Sequence, residues 1–270
     1  MSDPLASAAR EHGREAPTAG PAARSSPVAA ALAARRVLVV VPAYNEADSL
    51  PTLIEELRTH APQCDFVVVD DGSRDDTRKV AERLGALVVA LPFNLGIGGA
   101  VQCGLRYAWR QGYDVCVQCD GDGQHDPAEV GPLVAALVAE EADLAIGSRF
   151  LTAGGFRSSA LRRLGISVLS RWIRLFGGQR IADPTSGFRA VSRPLMGEFA
   201  RSYPQEYPEP ESVFAALHRG YKVIEVPVRM RPRTTGRSSI RAFDSLLYMV
   251  QLCVAIAVDA LRAGRSGRRD

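Results

Sequence analysis

From residue 36 onward, short runs of aliphatic and β-branched residues alternate with longer stretches whose apolar positions recur at helical spacing. Val37-Leu38-Val39-Val40-Val41 is continuously apolar, which predicts a strand covered on both faces. Phe66–Val69, Ala86–Leu91, Val115–Cys119 and Leu144–Ile146 repeat that pattern, and Val223–Met230 predicts a late strand. Helices are predicted over about Asp48–His60, after Ser73, over Gly98–Gln111, Pro127–Glu141 and Ser159–Phe176, and up to Arg219. Strands alternating with helices predict an α/β fold, Rossmann-like, with a mostly parallel sheet flanked by helices. Such sheets bind ligands beyond the carboxyl ends of their strands. Pro42–Glu46, Asp70–Ser73, Asp120–Asp126 and Ser148-Arg149 all follow predicted strand ends, so these loops are expected on one rim.

The ends of the chain read differently. Residues 1–35 are rich in Ala, Pro, Ser, Gly and Arg with no apolar segment of signal-peptide type, and predict a disordered leader. Residues 36–240 form the ordered domain, and 241–270 an apolar helix with a basic tail. A 46% hydrophobic and 23% charged composition implies neither wholesale disorder nor a polytopic membrane protein. The net charge is only +3, but arginines cluster from Arg229 to Arg241 and from Arg262 to Arg269, as suits phosphate ligands or anionic lipid. Five cysteines in apolar stretches (Cys64, Cys103, Cys116, Cys119, Cys253) fit a reducing compartment. Cys116 and Cys119 have C-x-x-C spacing but lie in a predicted strand with no second ligand pair, and read as buried core thiols.

The chemistry centres on Asp120-Gly121-Asp122-Gly123-Gln124. Carboxylates two residues apart in extended backbone point to one side, and Gln124 adds an oxygen on the same period. Glycines between them permit close approach to a ligand. This incomplete set of hard oxygen donors suits Mg²⁺ or Mn²⁺ completed by phosphate and water. A Ca²⁺-binding helix–loop–helix fails here, because the sixth and twelfth positions are His125 and Gly131. Asn94-Leu95-Gly96-Ile97-Gly98-Gly99-Ala100 is no dinucleotide fingerprint: it follows the third strand, and its final small position falls on Val101. Those glycines read as close helix packing near a nucleotide, and His125 as a residue that orients its loop.

Taken together, V-P-A-Y-N-E (41–46), V-D-D-G-S (69–73), N-x-G-x-x-x-A (94–100), D-G-D-G-Q-H-D-P (120–127), G-S-R (147–149), D-P-T-S-G-F-R (183–189) and R-x-x-G-x-S-S (233–239) resemble the family 2 inverting glycosyltransferases of GT-A fold. The resemblance is to the branch of dolichol-phosphate mannose synthases and bacterial polyprenyl-phosphate glycosyltransferases, and it spans about Val37 to Arg241. It implies that Pro42, Tyr44, Glu46, Asp70 and Asp71 line the base and ribose pocket, and that Asp120, Asp122 and Gln124 hold the metal on the donor diphosphate. Arg149 and Arg189 would stabilise phosphate charge, and Arg233, Arg237, Ser238 and Ser239 would close over the phosphates. The absence of Q-x-x-R-W separates the chain from processive members. Glu209 and Glu211 become candidate bases if the acceptor is an alcohol, since a phosphate acceptor is already ionised.

The implied reaction moves one sugar, with inversion, from a nucleotide diphosphate sugar to a polyprenyl phosphate. The runner-up is the same donor chemistry on a hydroxyl of a cell-wall polymer, glycolipid or secondary metabolite. A nucleotidyltransferase and a non-catalytic nucleotide-sugar-binding subunit are the rivals from other classes. Nothing in the sequence suggests a nucleic-acid partner. Leu246–Val258 would span about 20 Å as a helix, short of the roughly 30 Å hydrocarbon core. It therefore predicts an interfacial amphipathic helix on the membrane surface, or a dock for a small membrane protein, with packing on its own domain or in a homodimer as the alternative. The expected location is the cytoplasmic face of the cell membrane.

Overall fold

The computed structural model describes residues 27–151 and 160–231. In chain order the elements are α1 (Pro27–Ala33), β1 (Val37–Ala43), α2 (Leu50–His60), β2 (Asp65–Asp70), α3 (Thr77–Arg83), β3 (Leu87–Ala90), α4 (Gly96–Arg110), β4 (Val115–Gln118), a 3₁₀ turn (Pro127–Glu129), α5 (Val130–Ala139), β5 (Leu144–Ser148), α6 (Ala160–Gly177), β6 (Arg189–Ser192), α7 (Arg193–Arg201), α8 (Pro208–His218) and β7 (Val223–Pro227). They build one sheet of order β3-β2-β1-β4-β6-β5-β7.

The continuous apolar run of β1 is explained by its place inside the sheet, where all of its residues are buried. Leu38 and Val40 face a core made with α4, α6, α7 and α8, whereas Val37, Val39 and Val41 face α2 and α5. Strand alternation divides one run of residues between two helical layers. Gly104 allows α4 to approach β1 closely, since a Cβ there would lie 2.2 Å from Val40 Cγ1. Gly98 sits against backbone of the loop after α7, 2.6 Å from Pro204 O by the same construction. Close packing of α4 therefore accounts for Gly98 and Gly104, whereas Gly96, at φ +79°, has open space around it.

Three features depart from the sequence reading. Residues 27–33, read as leader, form α1, which buries Ala31 and Leu32 and sets Val28 and Leu32 against Gly131 of α5. An Ala-rich run has high helix propensity, and the neighbouring α5 supplies the burial that composition cannot reveal. The strand β6 and the helix α7 were not predicted. Arg-Ala-Val-Ser is too short for a period-two signal, and β6 runs antiparallel to both neighbours, pairing Gln118 with Arg189 on one side and Ile146 with Arg189 on the other. The third departure is at β7, which ends at Pro227, while Met230 makes only an isolated antiparallel bridge to His125.

The direction of β6 has a functional consequence. An antiparallel strand begins at the edge where its parallel neighbours finish, so the Asp183–Phe188 segment is delivered to the rim that carries the carboxyl ends of β1, β2, β4 and β5. Cys64, Cys103, Cys116 and Cys119 are free thiols; Cys116 and Cys119 are buried, and burial pushes both well up from the usual thiol range.

Candidate active site

The first two loops of the rim are joined through backbone groups. Asn45, at φ +57°, donates its N–H to Ser73 Oγ at 3.0 Å and accepts from Arg74 N–H at 2.8 Å. Glu46 donates its N–H to Thr77 Oγ1 at 2.8 Å. Pro42 is buried in β1 and accepts Gly121 N–H at 3.1 Å, while Tyr44 is exposed just beyond the strand. Asp70 and Asp71 are buried at the end of β2. Asp70 accepts Ser73 N–H at 3.1 Å, and Asp71 accepts Leu95 N–H at 2.7 Å. Burial raises the Asp71 carboxyl above the ordinary range, opposed by the amides of Leu95 and Gly96.

The carboxylate loop follows β4. Asp120 Oδ1 accepts from Gln118 Nε2 at 3.0 Å, and Asp120 N–H donates to His125 Nδ1 at 2.9 Å. Buried His125, with its ring 5.1 Å from Phe188, thus orients the loop from below. Asp122, also buried, accepts Gln124 N–H on Oδ1 at 3.0 Å. Gly187 gives Asp120 its room: a Cβ there would stand 2.9 Å from Asp120 Oδ2. Ser49 Oγ lies 2.7 Å from Gly121 O and 2.8 Å from Glu46 Oε2, and its single hydrogen serves one of them at a time.

Beyond β5 and before β6 the chemistry changes to arginine. Arg149 forks onto Asp183, with Nε and Nη2 each 2.7 Å from a carboxylate oxygen, and Nη2 is also 3.0 Å from Thr185 Oγ1. Asp183 is fully buried, and Glu225 of β7 accepts the N–H groups of Ala182 and Asp183 at 2.7 and 2.8 Å. Arg189, expected to meet phosphate, is instead 2% exposed and turned inward. It donates from Nε to Ser186 O at 2.6 Å, from Nη1 to Ser212 Oγ at 2.6 Å and from Nη2 to Pro184 O at 2.9 Å. Its direct contacts bind the Pro184–Ser186 turn to α8. The reason is topological, since Arg189 occupies a sheet position between β4 and β5 where only a buried direction is open.

Glu209 and Glu211 lie in the first turn of α8. Half-buried Glu209 has its carboxyl pushed up by burial and by the charge of Asp120, with Arg189 opposing. The carboxylate loop, the Arg149–Asp183 pair and the start of α8 therefore adjoin β6. Arg233, Arg237, Ser238 and Ser239, together with the Leu246–Val258 segment, lie outside the described residues. Sequence reasoning did not single out Ser49, Thr77, Gln118, Asp183 or Gly187. Only Asp183 and Gly187 carried a signal, as members of the D-P-T-S-G-F-R run.

The glycosyl transferase family 2 model matches residues 38–198, which covers the sheet from β1 through α7. The chain belongs to glycosyl transferase family 2. This family 2 glycosyltransferase is 34% identical over 216 residues to a polyprenol monophosphomannose synthase of Mycolicibacterium smegmatis, spanning 76% of this chain and 81% of that one. It is 32% identical over 217 residues to an undecaprenyl-phosphate mannosyltransferase of Micrococcus luteus, spanning 76% and 87%. Among solved structures, glucosyl-3-phosphoglycerate synthase from Mycobacterium tuberculosis, in complex with Mn²⁺, uridine diphosphate and phosphoglyceric acid, superposes with a TM-score of 0.67 at 25% identity, covering 90% of this chain and 84% of that one. The glycosyltransferase has the expected GT-A fold, a mixed, mostly parallel sheet between helices. Its family membership turns the reading away from a nucleotidyltransferase.

Proposed function

We propose that this glycosyltransferase moves one sugar from a nucleotide diphosphate sugar to a polyprenyl phosphate, with inversion at the anomeric carbon. The observation that carries the reading is Asp120 and Asp122 in the loop after β4, with Gly187 leaving space against Asp120 and with Arg149 fixed by Asp183 across β6. The polyprenol monophosphomannose synthase and the undecaprenyl-phosphate mannosyltransferase among its relatives support the acceptor. Pro42, Tyr44, Glu46, Asp70 and Asp71 would form the nucleoside side of the site, and Arg149 the phosphate side.

The donor set fits a divalent ion. Asp120 and Asp122 are hard, anionic oxygen ligands, and Gln124 offers a neutral one, so Mg²⁺ or Mn²⁺ would find part of its shell here. When bound, the ion supplies Lewis-acid neutralisation of charge on the departing nucleoside diphosphate. The protein's own groups do the positioning. His125 and Gln118 hold Asp120, the Gln124 amide holds Asp122, and Arg149 contributes positive charge where phosphates meet. An acceptor phosphate oxygen forms the new bond to the anomeric carbon as the bond to the donor diphosphate oxygen breaks, and no proton changes hands.

A second reading rests on Glu209. A carboxyl raised by burial at the start of α8 suits a general base that takes the proton of an alcohol acceptor. The test is a donor panel of UDP-, GDP- and dTDP-sugars with Mn²⁺ or Mg²⁺, each with and without a short polyprenyl phosphate. Nucleoside diphosphate release and lipid-extractable sugar are the readouts, with Asp122→Ala as control. Lipid-linked sugar that vanishes in the control is the expected result; donor turnover with no lipid product would move the acceptor to a hydroxyl. Among the described residues no helix is long and apolar enough to cross a membrane. We place the enzyme peripherally at the cytoplasmic membrane face, where a polyprenyl phosphate is presented.

A further inference from the structure

Gly121 stands between the two carboxylates of the loop after β4 and is itself buried. Its N–H donates to Pro42 O of β1 at 3.1 Å, and its carbonyl oxygen lies 2.7 Å from Ser49 Oγ. The loop is pressed against β1 here, since a Cβ at Gly121 would stand 3.0 Å from Pro42 O and 3.3 Å from Ala43 Cβ. The N–H belongs to the peptide that joins Asp120 to Gly121, and the carbonyl to the peptide that joins Gly121 to Asp122. Both links between the carboxylates are therefore held. Ser49 opens α2, where a serine side chain ordinarily accepts an amide of the first helical turn. It makes no such bond, and Pro51 in that turn has no N–H to give. The hydroxyl reaches instead to a carbonyl 72 residues away in sequence. Its single hydrogen has three acceptors in range: Gly121 O, Glu46 Oε2 at 2.8 Å and Glu46 O at 3.1 Å. The Glu46 carbonyl already receives the amides of Ser49 and Leu50, at 3.2 and 3.1 Å. A buried Gly121 carbonyl needs a donor of its own, and the Ser49 hydroxyl supplies it.

We propose that Ser49 is a positioning residue that fixes the Gly121 carbonyl, so that Asp120 and Asp122 keep their mutual placement for a divalent cation. This rests on the reading of the two carboxylates as cation donors, which follows from their hard anionic oxygens and two-residue spacing. Gln118 acts on the Asp120 carboxylate and the Gln124 amide on that of Asp122, whereas Ser49 acts on the peptide between them. Without the hydroxyl, that peptide loses its donor and can rotate toward water, which turns Asp122 relative to Asp120. Glycine has no side chain to resist the rotation.

The test compares Ser49→Ala, Ser49→Cys and Ser49→Thr with the wild-type chain, with Asp122→Asn as the control that removes a ligand. Mn²⁺ binding is measured by calorimetry, with the ion alone and with UDP or GDP present. Ser49→Ala is expected to raise the Mn²⁺ dissociation constant by roughly 10-fold. Ser49→Cys, which nearly keeps the size but donates weakly, should do almost the same, and Ser49→Thr, which keeps the hydroxyl, should restore binding. Amide hydrogen exchange at Gly121 and Gln124 should quicken in the Ala and Cys variants, well below their melting temperatures. In Glu46→Gln the new amide can donate to Ser49 Oγ and leave the hydroxyl hydrogen to Gly121 O, so exchange at Gly121 should keep its wild-type rate. Exchange there as fast as in Ser49→Ala would mean that Glu46 holds the loop, and would overturn the direct contact. Unchanged exchange in Ser49→Ala would overturn the grip on Gly121, and faster exchange with wild-type Mn²⁺ affinity would overturn the positioning role alone. A wild-type chain that binds no Mn²⁺ under any of these conditions would overturn the cation reading, and the role of Ser49 with it.

Discussion

The two sides of the rim hold their charged groups by different means. On the β2–β1–β4 side, backbone amides orient carboxylates: Ser73 on Asp70, Leu95 on Asp71 and Gln124 on Asp122. On the β6–β5–β7 side, charge is matched by charge or by buried acceptors, in the Arg149–Asp183 fork and the three contacts of Arg189. An amide orients a carboxylate without cancelling its charge, whereas a guanidinium does both. The first side therefore keeps its negative charge, as the proposed binding of a donor-bound cation requires. The second is a braced scaffold in which Arg149 is fixed at the expense of Asp183.

The contrast breaks most severely at Asp183. Asp183→Ala leaves Arg149, its side chain only 11% exposed, without the carboxylate it forks onto, which is expected to cost about 3–5 kcal/mol of stability. Urea or guanidinium unfolding would measure it, and a change below about 1 kcal/mol would mean that Arg149 readily reaches water or another partner. On the amide-held side, Asp122→Asn keeps the size of the side chain and removes its charge. Turnover should fall by roughly 100- to 1,000-fold while the unfolding midpoint hardly moves, as read by nucleoside diphosphate release beside a melting curve. Arg189→Met should behave in the opposite way. Orphaned acceptors at Pro184, Ser186 and Ser212 should cost about 1–3 kcal/mol, with donor KM changed less than in Asp122→Asn. A large rise in KM without loss of stability would instead return Arg189 to the phosphates.

The smallest effect concerns pH. The Glu209 carboxyl is raised by burial, so the folded state holds its proton to higher pH than the unfolded chain does. Its contribution to stability is present at low pH and declines as pH rises from the unfolded value through the raised folded one. Glu209→Gln should flatten that decline in a series of unfolding curves. With an alcohol acceptor, kcat should also rise with pH over the same window, and the substitution should abolish that limb. With a polyprenyl phosphate acceptor, kcat should show no limb assignable to Glu209.

Much of the carboxylate side of the rim was legible because its signals are local. The apolar run of β1, the acidic stop after β2 and the Asp-Gly-Asp loop after β4 each report on their own backbone within a few residues. His125 as a loop-orienting residue was legible for the same reason, five positions from the amide it accepts. The scaffold side was harder to read. Arg149 and Asp183 are 34 residues apart, and nothing near either one names the other. Arg189 stood in a motif that drew attention, but its inward direction depends on the strands that flank it.

By itself the sequence determined an α/β chain, the strand ends that share a rim and the acidic groups that give this rim its chemistry. Those features follow from periodicity and from residue types at fixed offsets. The tertiary structure alone decided the antiparallel entry of β6, the partner of Arg149, the burial of Arg189, the helix that begins the described chain at residue 27 and the contact of Ser49 with Gly121. Each of these is a meeting of segments distant in sequence. Local backbone preference carries no information about which distant side chain will supply the opposite charge or the covering surface.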